Sequence, residues 1–262
     1  MLKNKDIIEF LKAIAPEYLA HSWDNVGTLV GDEESGLKAV LVALELTDDV
    51  LEEAINLKTS LVITHHPLIF KPLNRITEDT LVGKRIIRLI KNDITLYSSH
   101  TNMDEANGGT NDALFEILEL DNKEFLCKSD YEGYGIGRIG YLSKETSLKN
   151  FSNFIKGRLN LDKVNFVGDS NRMIKKVGLC TGAFYKEAFK EAVKNNCDVF
   201  VTGDIKYHEA QEAIDLGVSL IDATHFATEN IMSKVLAKNI KKNFKDVCVY
   251  ESGSITNPFS SL

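Results

Sequence analysis

Short apolar runs alternate with segments of helical periodicity along this chain, and the alternation runs through twice. In the first half, Asp6–Ile14 has helical spacing, Val26–Val30 and Val40–Leu44 read as strands, and Thr47 or Asp48 caps a helix bearing Val50, Leu51, Ala54 and Ile55. Leu61–Ile63 then reads as a short buried strand, Val82–Ile90 as a helix, Ile94–Tyr97 as a strand and Asn111–Leu118 as a helix. The second half repeats the order. Strands at Val164–Val167, Val177–Cys180, Val199–Val201 and Val218–Ile221 lie among helices at Leu148–Leu159, Tyr185–Lys194, His208–Leu216 and Phe226–Ala237. Val247–Tyr250 adds a last strand.

Strands that alternate with helices demand sheets covered by helices. Aligning Thr64 with Thr202, an offset of 138 residues, also places Val62 on Phe200 and Ala54 on Ala192. Identity is low and any α/β chain alternates, but the matching order points to an internal duplication. The expected fold class is therefore α/β, with two similar lobes at residues 1–125 and 126–262. The break falls near 121–135, where Asp121–Glu124 and Gly133, Gly135 and Gly137 interrupt the pattern. That glycine run lacks the GxGxxG spacing of a nucleotide fingerprint. The last strand either joins the second lobe or packs back on the first.

Composition narrows the function. A net charge of −7 over 262 residues argues against sequence-blind nucleic-acid binding, which needs clustered Lys and Arg. No apolar run is long enough to span a bilayer, and Met1–Pro16 reads as an amphipathic helix, not a secretory signal. Four Cys without a CxxC pair fit a reduced, cytoplasmic protein.

The six His are few but unevenly placed. Thr64-His65-His66-Pro67 directly follows an apolar strand, at the strand end where α/β proteins gather ligand sites. Adjacent side chains on an extended strand point to opposite sides, so the pair suits two neighbouring ions, or one ion and a supporting role. Ser99-His100-Thr101-Asn102-Met103-Asp104 follows another strand and offers an imidazole and a hard oxygen. His225 and Glu229 share a helix face at i, i+4, a spacing also common on solvated helices. Thr202-Gly203-Asp204 occupies the repeat position of Thr64-His65-His66 and can support a site, while His208 is a proton shuttle, a substrate contact or a local cap. Trp23-Asp24-Asn25 reads as a polar turn that anchors the first helix.

Three imidazoles (His65, His66, His225) and two carboxylates (Asp104, Glu229) at strand ends form an N/O ligand set without thiolate, suited to Zn, Mn, Fe or Ni. Five protein ligands exceed what one catalytic ion takes, so the expected site is dinuclear, holding two divalent ions per chain.

Trp23-Asp24-Asn25-Val26-Gly27, Thr64-His65-His66-Pro67, Ser99–Asp104, Thr202-Gly203-Asp204 with His208, and His225-Phe226-Ala227-Thr228-Glu229 together resemble the Nif3-like family, the bacterial GTP cyclohydrolase 1 type 2 homologues. The motifs span residues 23 to 229 in the family's order. The resemblance implies that His65, His66, Asp104, His225 and Glu229 hold the two ions, with the metal site between the lobes. It also implies a homohexamer, a trimer of dimers. Met103, Glu45 and Thr28 depart from the usual family residues without removing a ligand.

The leading expectation is a metal-dependent hydrolase acting on a small molecule, with metal-bound water as nucleophile and His100 or His208 managing protons. The resemblance names GTP as substrate, opened to formate and dihydroneopterin triphosphate; the residues themselves speak weakly for a nucleotide, since no P-loop is present. The competing expectation is a metal-binding scaffold or metal-handling protein with no turnover of its own.

Overall fold

The computed structural model describes residues 1–254 and 257–260. The chain divides into two compact units. One is Met1–Met103 with the segment that begins at Met232; the other is Asp104–Ile231.

The first unit contains α1 (Asn4–Ile14), β1 (Gly27–Val30), β2 (Ala39–Ala43), α2 (Asp48–Asn56), β3 (Leu61–Thr64), α3 (Leu81–Lys91) and β4 (Thr95–Ser98). Thr47 caps α2 by accepting from the Val50 amide at 3.1 Å, as its sequence signal predicts. The C-terminal strand β11 (Cys248–Glu251) belongs to this sheet, whose order is β1-β4-β3-β2-β11. Val249 stands opposite Val40, so the last strand does return to the first half of the chain. β2, β3, β4 and β11 are parallel, and β1 runs antiparallel against β4. Every residue of β2, β3 and β4 is buried, as a parallel sheet covered on both faces requires. Leu41, Val62 and Leu96 pack with Val50, Leu51 and Ala54 of α2 and with Ile86 and Leu89 of α3.

The second unit begins inside the short helix α4 (Thr101–Glu105) and continues through α5 (Thr110–Ile117), β5 (Asp121–Lys128), β6 (Gly135–Ser147), α6 (Leu148–Arg158), β7 (Asn165–Val167), β8 (Met173–Ala183), α7 (Lys186–Lys194), β9 (Val199–Gly203), α8 (Tyr207–Asp215) and β10 (Ser219–Asp222) to the start of α9 (His225–Asn243). Its sheet has the order β5-β6-β8-β9-β10-β7. Alternate residues feed two cores. Val177, Leu179, Val199, Val201 and Ile221 join Leu114, Phe151 and Ile155 on one face, whereas Cys180, Phe200 and Leu220 join Phe189 and Ala213 on the other.

The duplication is visible in connectivity. β7-β10-β9-β8 reproduces β1-β4-β3-β2, including one antiparallel pair at the same edge. The 138-residue offset carries Asp48–Asn56 onto Lys186–Lys194, the limits of α2 and α7. The next slot differs: β11 runs parallel to β2, while β6 runs antiparallel to β8 and extends the sheet through β5.

Residues 121–128 form a strand where the sequence suggests a break. Its first four residues, Asp121–Glu124, are exposed on the sheet edge, so no hydrophobic alternation marks them. Behind it Arg138 is fully buried and donates to Asp112 and to the carbonyl oxygens of Gly135 (2.7 Å), Gly137 (2.8 Å) and Ala106 (3.0 Å). Burial pushes the Asp112 carboxyl up, but Arg138 and Lys123 outweigh it and hold it below the usual carboxylate range. Among the described residues, no helix is long and apolar enough to cross a membrane.

Candidate metal centre

In the first unit, three parallel strands stay paired past their ends. The Thr64 and Ser98 hydroxyls lie 2.8 Å apart, Ser99 N–H donates to the Thr64 carbonyl at 2.9 Å, and His66 N–H donates to the Leu44 carbonyl at 2.8 Å. β3 stops at Thr64, and His65 and His66 stand on the bend that follows. Strand alternation therefore does not separate them: their ring centroids are 5.3 Å apart. His100, just beyond β4, lies 5.0 Å from the His65 ring and 5.6 Å from the His66 ring. One ligand nitrogen from each of the three lies within 4.8 Å of the other two. The structure thus places His100, read from sequence as a proton carrier, beside two expected metal ligands.

The outward partners fix which nitrogen each ring presents. Nδ1 of His65 lies 3.0 Å from the Ser99 carbonyl oxygen, which can only accept. Nδ1 therefore carries the proton, and Nε2 keeps its lone pair. Nδ1 of His100 lies 2.9 Å from Oδ1 of Asp24 and is held the same way. Asp24 also accepts from the Thr101 amide at 3.1 Å and the Thr101 hydroxyl at 2.6 Å. Burial pushes its carboxyl up, yet the hydrogen bonds from His100 and Thr101 prevail and hold it well below the usual carboxylate range. Asp24 therefore orients His100, a role the sequence turn around Trp23 did not disclose.

In the second unit, α9 presents His225 and Glu229 one turn apart, with His225 Nε2 2.9 Å from Glu229 Oε2. Nδ1 of His225 lies 2.8 Å from Oδ2 of Asp204, so the Thr202-Gly203-Asp204 turn supports the imidazole as its position in the repeat suggests. With Nδ1 carrying the proton, Nε2 and the Glu229 carboxylate face each other as two acceptors, an arrangement that a cation or a proton satisfies. The first turn of α9 is locked. The Gly182 amide donates to the buried Thr228 hydroxyl at 3.0 Å, and that hydroxyl lies 2.9 Å from the Thr224 carbonyl. Thr224 holds φ at 65°, a left-handed conformation that a β-branched residue rarely adopts. Gly182 has φ 75°, and a Cβ there would lie 2.1 Å from Glu229 Oε1, so a side chain at this position would displace the carboxylate from where it stands.

Asp104, in α4, is buried and accepts from the Thr110 hydroxyl. Its main-chain carbonyl accepts from the Asn111 side chain at 2.9 Å, and Asn111 in turn accepts from the Thr181 amide of β8 at 3.0 Å. His208 is exposed at the start of α8, with Tyr207 as its ring neighbour at 5.4 Å; no candidate metal-holding group among the described residues includes it.

Known proteins resemble this chain over its whole length. A curated relative from Clostridium perfringens, named GTP cyclohydrolase 1 type 2 homolog, is 39% identical over 263 residues and covers all of both chains. The crystal structure of a Bacillus cereus protein related to NIF3 superposes with a TM-score of 0.93 at 26% identity, covering 100% of this chain and 99% of that one. A hypothetical protein of Staphylococcus aureus superposes with a TM-score of 0.92 at 32% identity, covering 99% of each chain. The family model Duf34/NIF3 (NGG1p interacting factor 3) matches residues 2–258. With two sheets of matching strand order and a His-rich edge that the relatives' family model spans, this chain belongs to the Duf34/NIF3 family.

Proposed function

We propose that the protein is a metal-dependent hydrolase that holds two divalent ions per chain on His65, His66, Asp104, His225 and Glu229. One observation carries the reading: the Nδ1 atoms of the ligand imidazoles His65 and His225 lie 3.0 and 2.8 Å from oxygen acceptors, which leaves the Nε2 lone pair of each ring to serve an ion. Metal-bound imidazoles are held in this way, with the second nitrogen on a carboxylate or carbonyl. The buried carboxylates Asp104 and Glu229 supply the negative charge that a divalent ion needs.

When bound, such ions supply Lewis acidity and water activated near neutral pH. The residues of the chain do the rest. His65 and His66 present nitrogen at the end of β3, and Glu229 presents oxygen from the locked first turn of α9. Asp24 keeps His100 in one tautomer, so that its Nε2 takes up and returns a proton. His208 is the other candidate proton carrier, and His208→Asn separates the two roles. The curated relative's name suggests GTP as the substrate to try first. The resemblance adds a homohexamer, a trimer of dimers, whose mass in solution is directly measurable.

Elemental analysis of purified, reconstituted protein is expected to find about two metal ions per chain, reduced in Glu229→Ala and in His65→Ala. Formate release from GTP and from a panel of hydrolase substrates is then compared between wild type and His65→Ala. Metal-loaded protein inert towards the whole panel would favour the metal-binding scaffold over the hydrolase. Absence of metal after reconstitution would end the ligand assignment.

A further inference from the structure

The chain's one tryptophan is the most conspicuous group that the metal site does not use. Trp23 is 56% exposed, and Phe70 beside it is 47% exposed, with ring centroids 5.8 Å apart. Contiguous apolar surface left in water is where ligand-binding grooves and interaction sites are found. This pair is not a loose flap. His21 N–H donates to the Thr101 hydroxyl at 3.0 Å, Asp24 N–H donates to the His21 carbonyl at 2.9 Å, and the Asp24 carboxylate is bound to His100 and Thr101. The Asn25 side chain donates to the Ile69 carbonyl, next to Phe70. Residues 21–25 are thereby tied both to the His100 segment and to the loop that carries Phe70.

The rings form a continuous series. Trp23 lies 6.1 Å from His100, and His100 lies 5.0 Å from His65 and 5.6 Å from His66. A ligand whose reacting group meets the imidazoles has the indole one ring-width further on. Resting on the metal-centre reading above, we infer that Trp23 is a specificity-determining residue: with Phe70 it forms an aromatic shelf that stacks the planar heteroaromatic ring of the substrate. Stacking tolerates many ring types, because every such ring has a π face, so Trp23 selects flat aromatic ligands over non-aromatic ones without reading ring substituents. The continuity of the indole with the His100, His65 and His66 rings is what argues for a ligand ring as the occupant.

A lone tryptophan is also its own reporter. Guanosine monophosphate and ribose 5-phosphate share a phosphate and a sugar and differ in the ring. Added to metal-loaded protein, the first is expected to change tryptophan emission and the second to leave it unchanged. Trp23→Ala is expected to weaken guanosine monophosphate binding by about tenfold or more, measured by calorimetry, with ribose 5-phosphate binding unaltered. Trp23→Phe, which keeps a flat ring, retains most of the affinity. Unchanged preference for the nucleotide in Trp23→Ala, or no binding of the nucleotide by wild type, overturns the inference. So does emission that is already blue-shifted and shielded from acrylamide in the ligand-free protein, since a second copy of the chain would then occupy the shelf. The metal reading fails separately, by elemental analysis. If metal-stripped protein still shows the nucleotide-over-sugar preference and loses it in Trp23→Ala, the shelf stands without that reading.

Discussion

Oδ1 of Asp24 lies 2.9 Å from Nδ1 of His100, joining residues 76 positions apart in the chain. The bond places a buried negative charge behind an imidazole that stands against His65 and His66. Removing the charge while keeping the shape tests what it does. Asp24→Asn can still meet the ring but can offer it an amide nitrogen in place of an acceptor, which releases the tautomer. Hydrolytic activity of the metal-loaded protein is expected to fall about 10–100-fold, measured by formate release from GTP, while metal content and the folded circular dichroism spectrum persist.

Gly182 tests how little room Glu229 has. An added methyl would lie 2.1 Å from Glu229 Oε1, on a backbone with φ 75°. Gly182→Ala is expected to lower both the melting temperature and the metal content. Gly157→Ala is the control, because its added methyl meets nothing within 4 Å and lies inside α6. There the exchange should stabilise by about 0.5–1 kcal/mol.

The Arg138–Asp112 pair sets a limit on acid tolerance. Asp112 titrates in the native state below its unfolded value of about 3.9. Its contribution is therefore fully present above that value and is lost as pH falls through the native pKa. Asp112→Asn leaves a buried guanidinium without its counter-charge and is expected to cost about 3–5 kcal/mol at neutral pH. Denaturant unfolding from neutral to acidic pH should show a shallower acid loss for the variant than for wild type.

Asn4 tests the anchoring of α1. Its side chain donates to the Ser60 carbonyl at 3.1 Å and to the Thr95 hydroxyl at 3.0 Å, and it accepts from the Ser60 hydroxyl at 2.9 Å, all out of contact with water. Asn4→Leu keeps the branched shape and strands those groups. A loss of about 2–3 kcal/mol is expected from the urea midpoint.

Element order was legible in the sequence because the central strands of both sheets, such as β2, β3, β4 and β9, are buried throughout and leave plain apolar runs. Leu61–Thr64 and Val199–Gly203 lie where Leu61–Ile63 and Val199–Val201 are read. The 121–128 strand was not legible, since an exposed edge strand beginning Asp-Asn-Lys-Glu carries no alternation. At the site, His65, His66 and His225 could be picked out by their place after apolar runs. Of the groups that hold the imidazoles, only Asp204 could be. The Ser99 contact uses a main-chain oxygen, which no residue type announces, and Asp24 meets His100 through the tertiary fold. The clustering of His65 with His66 also depends on a bend after Thr64, whereas periodicity assumes that the strand continues.

The place of β11 bears on synthesis. Residues 39–43 form the edge that Cys248–Glu251 later covers, so the first sheet lacks its outer strand until some 200 further residues have left the ribosome. An open parallel edge of Ala-Val-Leu-Val-Ala is a template for pairing with other chains. Nascent or C-terminally clipped molecules therefore carry the aggregation hazard of this protein, and a ribosome stalled before residue 248 holds a first unit that cannot yet be complete.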